Sequence, residues 1–225
     1  MPFSTANDIN NIGQVVGYST SSNGYNHAFL WSENGGLEDL SQTGDLLHSR
    51  ANGINDSGAV VGVHGDNSFI WTRSTGMQDI TLPNPTGMGC TAIDVNNDGQ
   101  IIFNCNSRDP DSPLSGAWQE GHATISIPDA DSVLDINNIG QVVGRSGDQA
   151  FIWDATSGTQ ILPMLSGLQG GVAVGINDNG MIVGFAHDSQ YKTHLLLWTV
   201  PEPSSLLALL AGLGGFGVML RRRTH

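Results

Sequence analysis

Five stretches of this 225-residue chain share one alternation of polar turn residues and apolar runs. The first reads Asp-Ile-Asn-Asn-Ile-Gly-Gln-Val-Val-Gly over residues 8–17, and it returns unchanged over residues 135–144. Looser copies occupy residues 53–62, 94–103 and 175–184. Each copy places an Asn-x-x-Gly turn directly before a Val- or Ile-rich run, which is typical of a β-hairpin.

The first and last residues of that turn are the same in all five copies, whereas the residues between them change. The asparagines are Asn10, Asn55, Asn96, Asn137 and Asn177, and the glycines are Gly13, Gly58, Gly99, Gly140 and Gly180. An Asn at the first turn position can bond backbone N–H groups two residues on, and Gly at the fourth accepts a left-handed backbone. We therefore interpret these residues as hairpin turns. Their spacings of 45, 41, 41 and 40 residues indicate a repeat protein.

Each repeat predicts four short strands, which in the first repeat cover residues 6–9, 14–18, 27–31 and 37–40. Paired apolar residues such as Val15 and Val16 break simple alternation, which favours strands that are covered on both faces. Units of about 40 residues with four strands match the blade of a β-propeller. The sequence therefore predicts an all-β fold of five four-stranded units that is β-propeller-like.

The fifth repeat lacks a visible outer strand, because the chain passes from Trp198 directly into a Pro-containing tail. Only five residues precede the first predicted strand, too few to supply the missing one. We expect a ring that is open, or one whose missing strand lies upstream of Met1. No export signal is visible at the start, so we expect the chain to be a fragment of an exported protein.

The third repeat contains both cysteines of the protein, Cys90 and Cys105. A hairpin that turns at Asn97 and Asp98 places the two cysteines directly opposite each other, within reach of a disulfide. A bulge at Gly99 would shift the register by one residue and spoil that alignment. The alternatives of a disulfide and of two free cysteines both stay open.

The charge balance excludes some classes of partner. The chain has 21 acidic and 8 basic residues and a formal net charge of −13. Nucleic acids and anionic lipids are bound by clusters of Lys and Arg, and three of the few arginines are confined to residues 221–223. We therefore expect no nucleic-acid partner.

Signals for catalysis or for a cofactor are weak. The seven histidines are scattered, and His27 and His194 share a repeat position four residues before a Trp, which indicates the start of a strand. The turns at residues 96–99 and 177–180 resemble calcium loops but lack the terminal acid that such loops use. We expect neither an enzyme nor a cofactor or metal. The alternatives are a propeller enzyme that acts on extracellular glycan and a calcium-stabilised adhesin.

The last 26 residues differ abruptly from the repeats. Residues 206–220 are uncharged and largely apolar, and as a helix they would reach about 22 Å, short of the roughly 30 Å hydrocarbon core. Flanking arginines that extend toward the interface make a membrane span feasible. The basic end should stay in the cytoplasm, which places residues 1–200 outside, including the predicted repeat domain at residues 1–199.

This tail resembles the PEP-CTERM sorting signal of Gram-negative bacteria. The resemblance covers residues 200–225, and it rests on the order of a Pro-Glu-Pro triplet, an apolar segment and terminal arginines. Its residues are Pro201, Glu202, Pro203, Arg221, Arg222 and Arg223. The resemblance implies processing near the triplet by exosortase, a membrane-embedded cysteine transpeptidase. A plain C-terminal anchor that is never cut is the alternative.

The repeats resemble the HAF family of probable extracellular repeats over residues 6–198. The motif is intact as His27-Ala28-Phe29, and His194 matches its histidine, whereas Asn67, Leu114 and Gln149 replace it elsewhere. Together the two resemblances imply a structural or binding protein of the cell envelope. It would enter the inner membrane during sorting, with a periplasmic ectodomain that later reaches the surface or is secreted. Its expected partners are exosortase and an extracellular polymer or surface protein.

Overall fold

The computed structural model describes residues 3–41, 45–82, 89–106 and 114–200. These residues form nineteen β-strands, and no helix occurs among them. The strands build five separate sheets, and within each sheet the consecutive strands pair antiparallel. The chain divides into two compact units, residues 1–126 and 127–225.

The first unit contains three four-stranded sheets, one for each of the first three repeats. The first sheet consists of β1 (Ser4–Ile9), β2 (Val15–Thr20), β3 (Asn26–Ser32) and β4 (Gly36–Asp39). The second consists of β5 (Ser49–Ile54), β6 (Val60–His64), β7 (Asn67–Thr72) and β8 (Gly76–Ile80). The third consists of β9 (Cys90–Val95), β10 (Ile101–Cys105), β11 (Leu114–Trp118) and β12 (Ile125–Ser126).

The second unit contains the sheets of the fourth and fifth repeats. The fourth sheet consists of β13 (Ser132–Ile136), β14 (Val142–Ser146), β15 (Gln149–Asp154) and β16 (Gly158–Ile161). The fifth consists of β17 (Leu168–Ile176), β18 (Met181–Asp188) and β19 (Thr193–Thr199). Among the described residues, the prediction of an all-β fold with five repeated sheets is confirmed. The fifth sheet has three strands within the described residues.

Each first strand carries a β-bulge three residues before the asparagine of its turn. In the first two repeats the extra residues are Asn7 and Asn52. Their side-chain amides donate to the carbonyls of Ala51 and Ala92, at 2.7 and 2.8 Å, on the first strand of the following sheet. The bulge therefore directs a side chain toward the neighbouring repeat, which simple strand alternation would not do.

Burial of the paired apolar residues follows from how the sheets stack within a unit. Val60 and Val61 of β6 point to opposite faces of their sheet, and both are fully buried. Val60 packs with Val16 and Leu30 of the first sheet, whereas Val61 packs with Ile101 of the third. A strand whose two faces are both covered by neighbouring sheets accounts for consecutive apolar residues.

The predicted C-terminal helix at residues 206–220 lies outside the described residues. Within the described parts of the chain, no helix has the length and apolar character needed to cross a membrane.

Candidate functional site

The asparagine side chain of the repeated turn uses its oxygen and its nitrogen for two different hydrogen bonds. In the first repeat, Gly13 has a φ of 79° and donates its N–H to the carbonyl of Asn10 at 3.1 Å. The Oδ1 atom of Asn10 accepts from the backbone N–H of Gln14 at 2.9 Å. The same bond joins each of the other turn asparagines to the residue four positions on. Each turn is thus closed by its own side chain.

The nitrogen of the same side chain reaches the next repeat. The Nδ2 atom of Asn10 donates to the carbonyl of Asn55 at 3.0 Å, and Nδ2 of Asn55 donates to the carbonyl of Asn96 at 3.0 Å. In the second unit, Nδ2 of Asn137 donates to the carbonyl of Asn177 at 3.2 Å. Aspartate would close the turn but could not donate onward, so the link between repeats accounts for the repetition of asparagine. Sequence reasoning found the turn and missed this second role.

The second residues of the turns form hydrogen bonds with one another, from one repeat to the next, at the surface. Asp56 accepts from the backbone N–H and the side-chain amide of Asn11, both at 2.9 Å. Nδ2 of Asn97 donates to the same carboxylate at 2.8 Å. These bonds, with that from the Asn11 side chain contributing most, lower the pKa of Asp56 below its ordinary value. Asn138 and Asp178 repeat the arrangement in the second unit.

Carboxylates on the first strands also form hydrogen bonds between neighbouring repeats. The Oδ2 atom of Asp8 accepts from the backbone N–H of Ile54 at 2.7 Å, and Oδ2 of Asp135 accepts from that of Ile176 at 2.6 Å. Each aspartate therefore connects its own first strand to the first strand of the next sheet. Among the described residues, no three His, Cys, Asp or Glu side chains are grouped so that they could hold a metal ion.

Cys90 and Cys105 form a disulfide between the ends of β9 and β10, with their Cα atoms 3.9 Å apart. Near the turn, Ile101 lies opposite Val95, one residue out of the register that would align the cysteines. The bulge in β9 restores that register, so Cys105 faces Cys90. The expectation that a bulge at Gly99 spoils the alignment is wrong, because a second bulge on the partner strand compensates for it.

Side chains at the position of His27 bind aspartates on neighbouring strands. Nδ1 of His27 lies 2.8 Å from Oδ2 of Asp39 on β4, and its Nε2 is buried without a partner in the described structure. Asn67 of the second repeat takes the same role, because its Nδ2 donates to Asp79 on β8 at 2.9 Å. The residue type differs between the first two repeats, but in both the side chain contacts the fourth strand.

The fifth repeat, which has no fourth strand among the described residues, uses a different partner. Nε2 of His194 lies 2.9 Å from Oδ2 of Asp188 on β18. This bond is the largest cause that lowers the pKa of Asp188 to about 2, and the backbone N–H groups of Lys192 and Gln190 add to it.

One imidazole lies between two carboxylates. Nε2 of His64 is 2.8 Å from Oδ2 of Asp45, and its Nδ1 is 3.5 Å from Oδ1 of Asp79. The side chains of His64 and Asp45 are 21% and 10% exposed, so this pair is the more sheltered of the two. It ties the segment before β5 to the β6–β7 hairpin. Scattered histidines gave no sequence signal for this contact.

The six residues predicted to form the sorting signal lie outside the described residues. They are Pro201, Glu202, Pro203, Arg221, Arg222 and Arg223. The last described strand, β19, ends at Thr199, directly before them. The backbone N–H of Val200 donates to the carbonyl of Gly180 at 2.9 Å, which fixes the chain at the fifth turn before it enters the tail.

Comparison with protein families identifies this tail. Residues 199–223 match the PEP-CTERM protein-sorting motif. That motif is a signal for processing by exosortase, and it marks the chain as exported and directed to the cell envelope. No curated protein sequence matches the chain.

Comparison with solved structures supports the fold class. TolB from Acinetobacter baumannii has a TM-score of 0.54 at 14% identity, over 88% of this chain and 54% of TolB. Selenomethionine-substituted virginiamycin B lyase from Staphylococcus aureus has a TM-score of 0.51 at 11% identity, over 90% of this chain and 74% of the lyase. A gluconolactonase from Xanthomonas campestris has a TM-score of 0.50 at 12% identity, over 89% and 77% of the respective chains.

These matches are informative about the fold alone, because the identities are low. The chain spans about half the length of the TolB structure that it matches. The similarity supports a β-propeller-like, all-β fold for an exported chain that carries a PEP-CTERM protein-sorting motif at its C-terminal end.

Proposed function

We propose that this protein is sorted by exosortase and then acts, without catalysis, as a structural or binding protein of the cell surface or extracellular matrix. The observation that carries the proposal is the match of residues 199–223 to the PEP-CTERM protein-sorting motif. The motif starts at the last residue of β19, so the whole repeat domain lies on its N-terminal side.

In this proposal the tail works as a temporary anchor. The apolar segment at residues 206–220 holds the chain in the inner membrane of a Gram-negative cell, with Arg221, Arg222 and Arg223 on the cytoplasmic side. Exosortase processes the chain near Pro201, Glu202 and Pro203. The repeat domain is then periplasmic, and it later reaches the surface or is secreted.

The repeat domain itself supports a structural or binding role. The disulfide between Cys90 and Cys105 is compatible with an oxidising location outside the cytoplasm. The polar residues that recur, such as Asn55 and Asp56, bind neighbouring repeats and so maintain the scaffold. Variable loops are then the surfaces that recognise an extracellular polymer or a surface protein. We further propose that the repeats are of the HAF type, on the motif at His27.

The test is the mass of the mature C-terminus. The chain is produced behind an export signal in a host with exosortase and in the same host without it. We expect a C-terminus near Pro203 in the first host and an intact Arg223-Thr224-His225 end in the second. An intact end in the exosortase-containing host would refute the proposal.

A pair of variants separates recognition of the triplet from a general effect of the tail. Replacing Pro201 and Pro203 by alanine should leave the tail uncut in the exosortase-containing host. The matched control replaces Ser204 and Ser205 by alanine, two neighbours outside the triplet, and should be processed normally. Equal processing of the two variants would show that the triplet is not the feature that is recognised.

A further inference from the structure

We propose that Arg50, His48, Tyr18 and Tyr25 form a binding site for a polysaccharide whose sugar rings carry carboxylates. These four residues, the Arg50 site, lie where the first two sheets pack together, within the first compact unit. Such a site depends on the proposed binding role of this protein, and it specifies the chemical class of the extracellular polymer.

Arg50 and His48 extend from the same side of the chain, away from the core. Ser49 between them is fully buried, and its Oγ accepts from the backbone N–H of Ala28 on β3 at 2.8 Å. Successive side chains of an extended chain point in opposite directions, so the two exposed neighbours of Ser49 share the other side. Two residues of extended chain place them roughly 7 Å apart.

Each of these two side chains lies against a tyrosine of the first repeat. The Cζ atom of Arg50 is 5.4 Å from the centre of the Tyr18 ring, and the rings of His48 and Tyr25 have their centres 5.1 Å apart. Both tyrosines are half-buried. The contact with Tyr18 restricts the rotamers of Arg50, so less conformational entropy is lost when a ligand binds. The site is therefore partly ordered before it is occupied.

Arg50 differs from the other arginines that the structure describes, which are Arg73 and Arg145. Nη2 of Arg73 is 2.8 Å from Oε2 of Glu38, and Nη2 of Arg145 is 3.7 Å from Oδ2 of Asp131. Arg50 forms no ion pair with any described residue. Because the chain has 21 acidic residues against 8 basic ones, a guanidinium without an acidic partner is free to bind an anionic group of a ligand.

The carboxylate nearest to Arg50 along the sequence is bound to other groups. Oδ1 of Asp45 accepts from the backbone N–H of Leu47 at 2.9 Å, and its Oδ2 lies 2.8 Å from Nε2 of His64. Both oxygens of Asp45 are therefore engaged, and Asp45 does not neutralise Arg50.

His48 supplies a second hydrogen-bond donor. Its Nδ1 accepts from the backbone N–H of Asn26 at 3.0 Å, and its carbonyl accepts from the N–H of Gly65 at 2.8 Å. A backbone N–H can only donate, so the neutral ring carries its proton on Nε2. That N–H has no partner among the described residues, and the residue is exposed. The guanidinium and the imidazole thus both offer N–H groups to a ligand.

These donors fit a carboxylate-bearing sugar. The planar guanidinium of Arg50 can donate to both oxygens of one carboxylate, and the imidazole of His48 can donate to a hydroxyl of the same or the next ring. A sugar ring has hydroxyls at its edge and an apolar C–H face, which matches N–H donors beside tyrosine rings. One unpaired arginine accounts for a single carboxylate, whereas nucleic acid requires clusters of Lys and Arg.

Binding of the full chain to polygalacturonate tests the proposal. The purified protein is kept in detergent, which accommodates the apolar tail, and its affinity for the polymer is measured by biolayer interferometry. We expect the methyl ester of the same polymer, which keeps the sugar backbone but lacks the charge, to bind about tenfold more weakly. This comparison uses the wild-type protein alone, so it does not depend on the folding of a variant.

Two arginine variants locate the site. Arg50→Gln should weaken binding of polygalacturonate about tenfold, because the charge-assisted hydrogen bonds are lost. The matched control is Arg73→Gln, which changes the net charge equally. Arg73 also lies over an aromatic ring, 5.7 Å from the centre of Trp71, but it is paired with Glu38. Its variant should bind as the wild type does, and urea unfolding would confirm that both variants are folded.

Three results would overturn the proposal. They are equal binding of the polymer and its methyl ester, equal losses in the two arginine variants, and stronger binding of polyglutamate or dextran sulfate than of polygalacturonate. The last result would assign the site to an acidic peptide or to a sulfated polymer. Processing of the tail is measured separately: a chain that is cut normally but does not bind refutes the Arg50 site alone, and a chain that binds but is never cut refutes sorting alone.

Discussion

The second and fifth repeats carry nearly the same residues, but these residues are buried in the second repeat and exposed in the fifth. Asn55 is 6% exposed and donates to the next repeat, whereas Asn177 closes an identical turn and is exposed. Val61 is fully buried, and its counterpart Val183 is 49% exposed. The difference is the presence of a following sheet on one and its absence, within the described residues, on the other.

This contrast shows that the repeated residues have two kinds of energetic role. The bond from the asparagine Oδ1 to its own turn is made in both repeats, so it depends only on local sequence. The bond from Nδ2 is made only where a neighbouring repeat supplies a carbonyl. Variants that act on one role and not the other should therefore affect the second and fifth repeats unequally.

The largest expected effect comes from the sheet against which the second repeat packs. Ser68 of the second repeat donates to the carbonyl of Cys90 at 2.8 Å, and Cys90 is held by its disulfide to Cys105. Replacing both cysteines by serine should lower the free energy of unfolding by about 3 kcal/mol. The disulfide between Cys90 and Cys105 closes a loop in the unfolded chain and so reduces the entropy of that chain. Urea unfolding would measure the loss.

The control for the cysteine variant uses the native chain with and without a reducing agent. Reduction should reproduce the loss in the wild-type protein and leave the double-serine variant unchanged. A wild-type midpoint that does not move on reduction would show that the bond contributes nothing to stability.

The next effect sharpens the comparison directly. Gly53→Ala places a Cβ within 2.8 Å of the Cα of Asp94, and backbone cannot move away easily, so we expect a loss of about 2 to 3 kcal/mol. Gly175→Ala meets Val183 at 3.1 Å, and we expect a loss below about 1 kcal/mol because one side-chain atom can shift. Urea unfolding of the matched variants would contradict the comparison if the two losses were equal.

The sequence alone predicted the repeat count, the short strands of each repeat and the turn, because these depend on local residue patterns. Asn-x-x-Gly before a Val-rich run fixes a hairpin wherever it occurs. The sequence also shows no outer strand after Trp198, and the fifth sheet has three strands within the described residues. The fold class followed from the repeat length and the number of strands per unit.

The contacts between repeats could not be predicted from the sequence, because they join residues about 40 positions apart. Nothing in the sequence near Asn10 indicates that Nδ2 will meet the carbonyl of Asn55. The expectation that a bulge at Gly99 spoils the alignment of Cys90 with Cys105 was wrong for a similar reason. The register depends on two bulges with opposite effects, and these cannot be inferred from the sequence of one hairpin. The partner of His64 belongs to the same class of long-range contact.

A smaller effect isolates the forward hydrogen bond. Asn55→Asp keeps the Oδ1 acceptor for the turn but replaces the buried donor by a carboxylate oxygen facing the carbonyl of Asn96. We expect a loss of about 2 kcal/mol in the free energy of unfolding. Asn177→Asp, which is exposed, should cost less than about 0.5 kcal/mol. Equal costs in urea unfolding would mean that the forward bond has no net value.

The smallest effect concerns a carboxylate of the fifth repeat. Since its folded pKa of about 2 lies below the ordinary value near 3.9, ionised Asp188 contributes stability that is present above about pH 4 and lost as pH falls toward 2. His194→Ala removes the largest cause, so the pKa of Asp188 should rise while the two backbone donors keep it below the ordinary value. Carboxyl carbon NMR titration would measure this. The control is Asp56, whose low pKa depends on Asn11 and Asn97 and should not change. An unchanged Asp188 in the variant would assign its low pKa to the backbone of Gln190 and Lys192 instead.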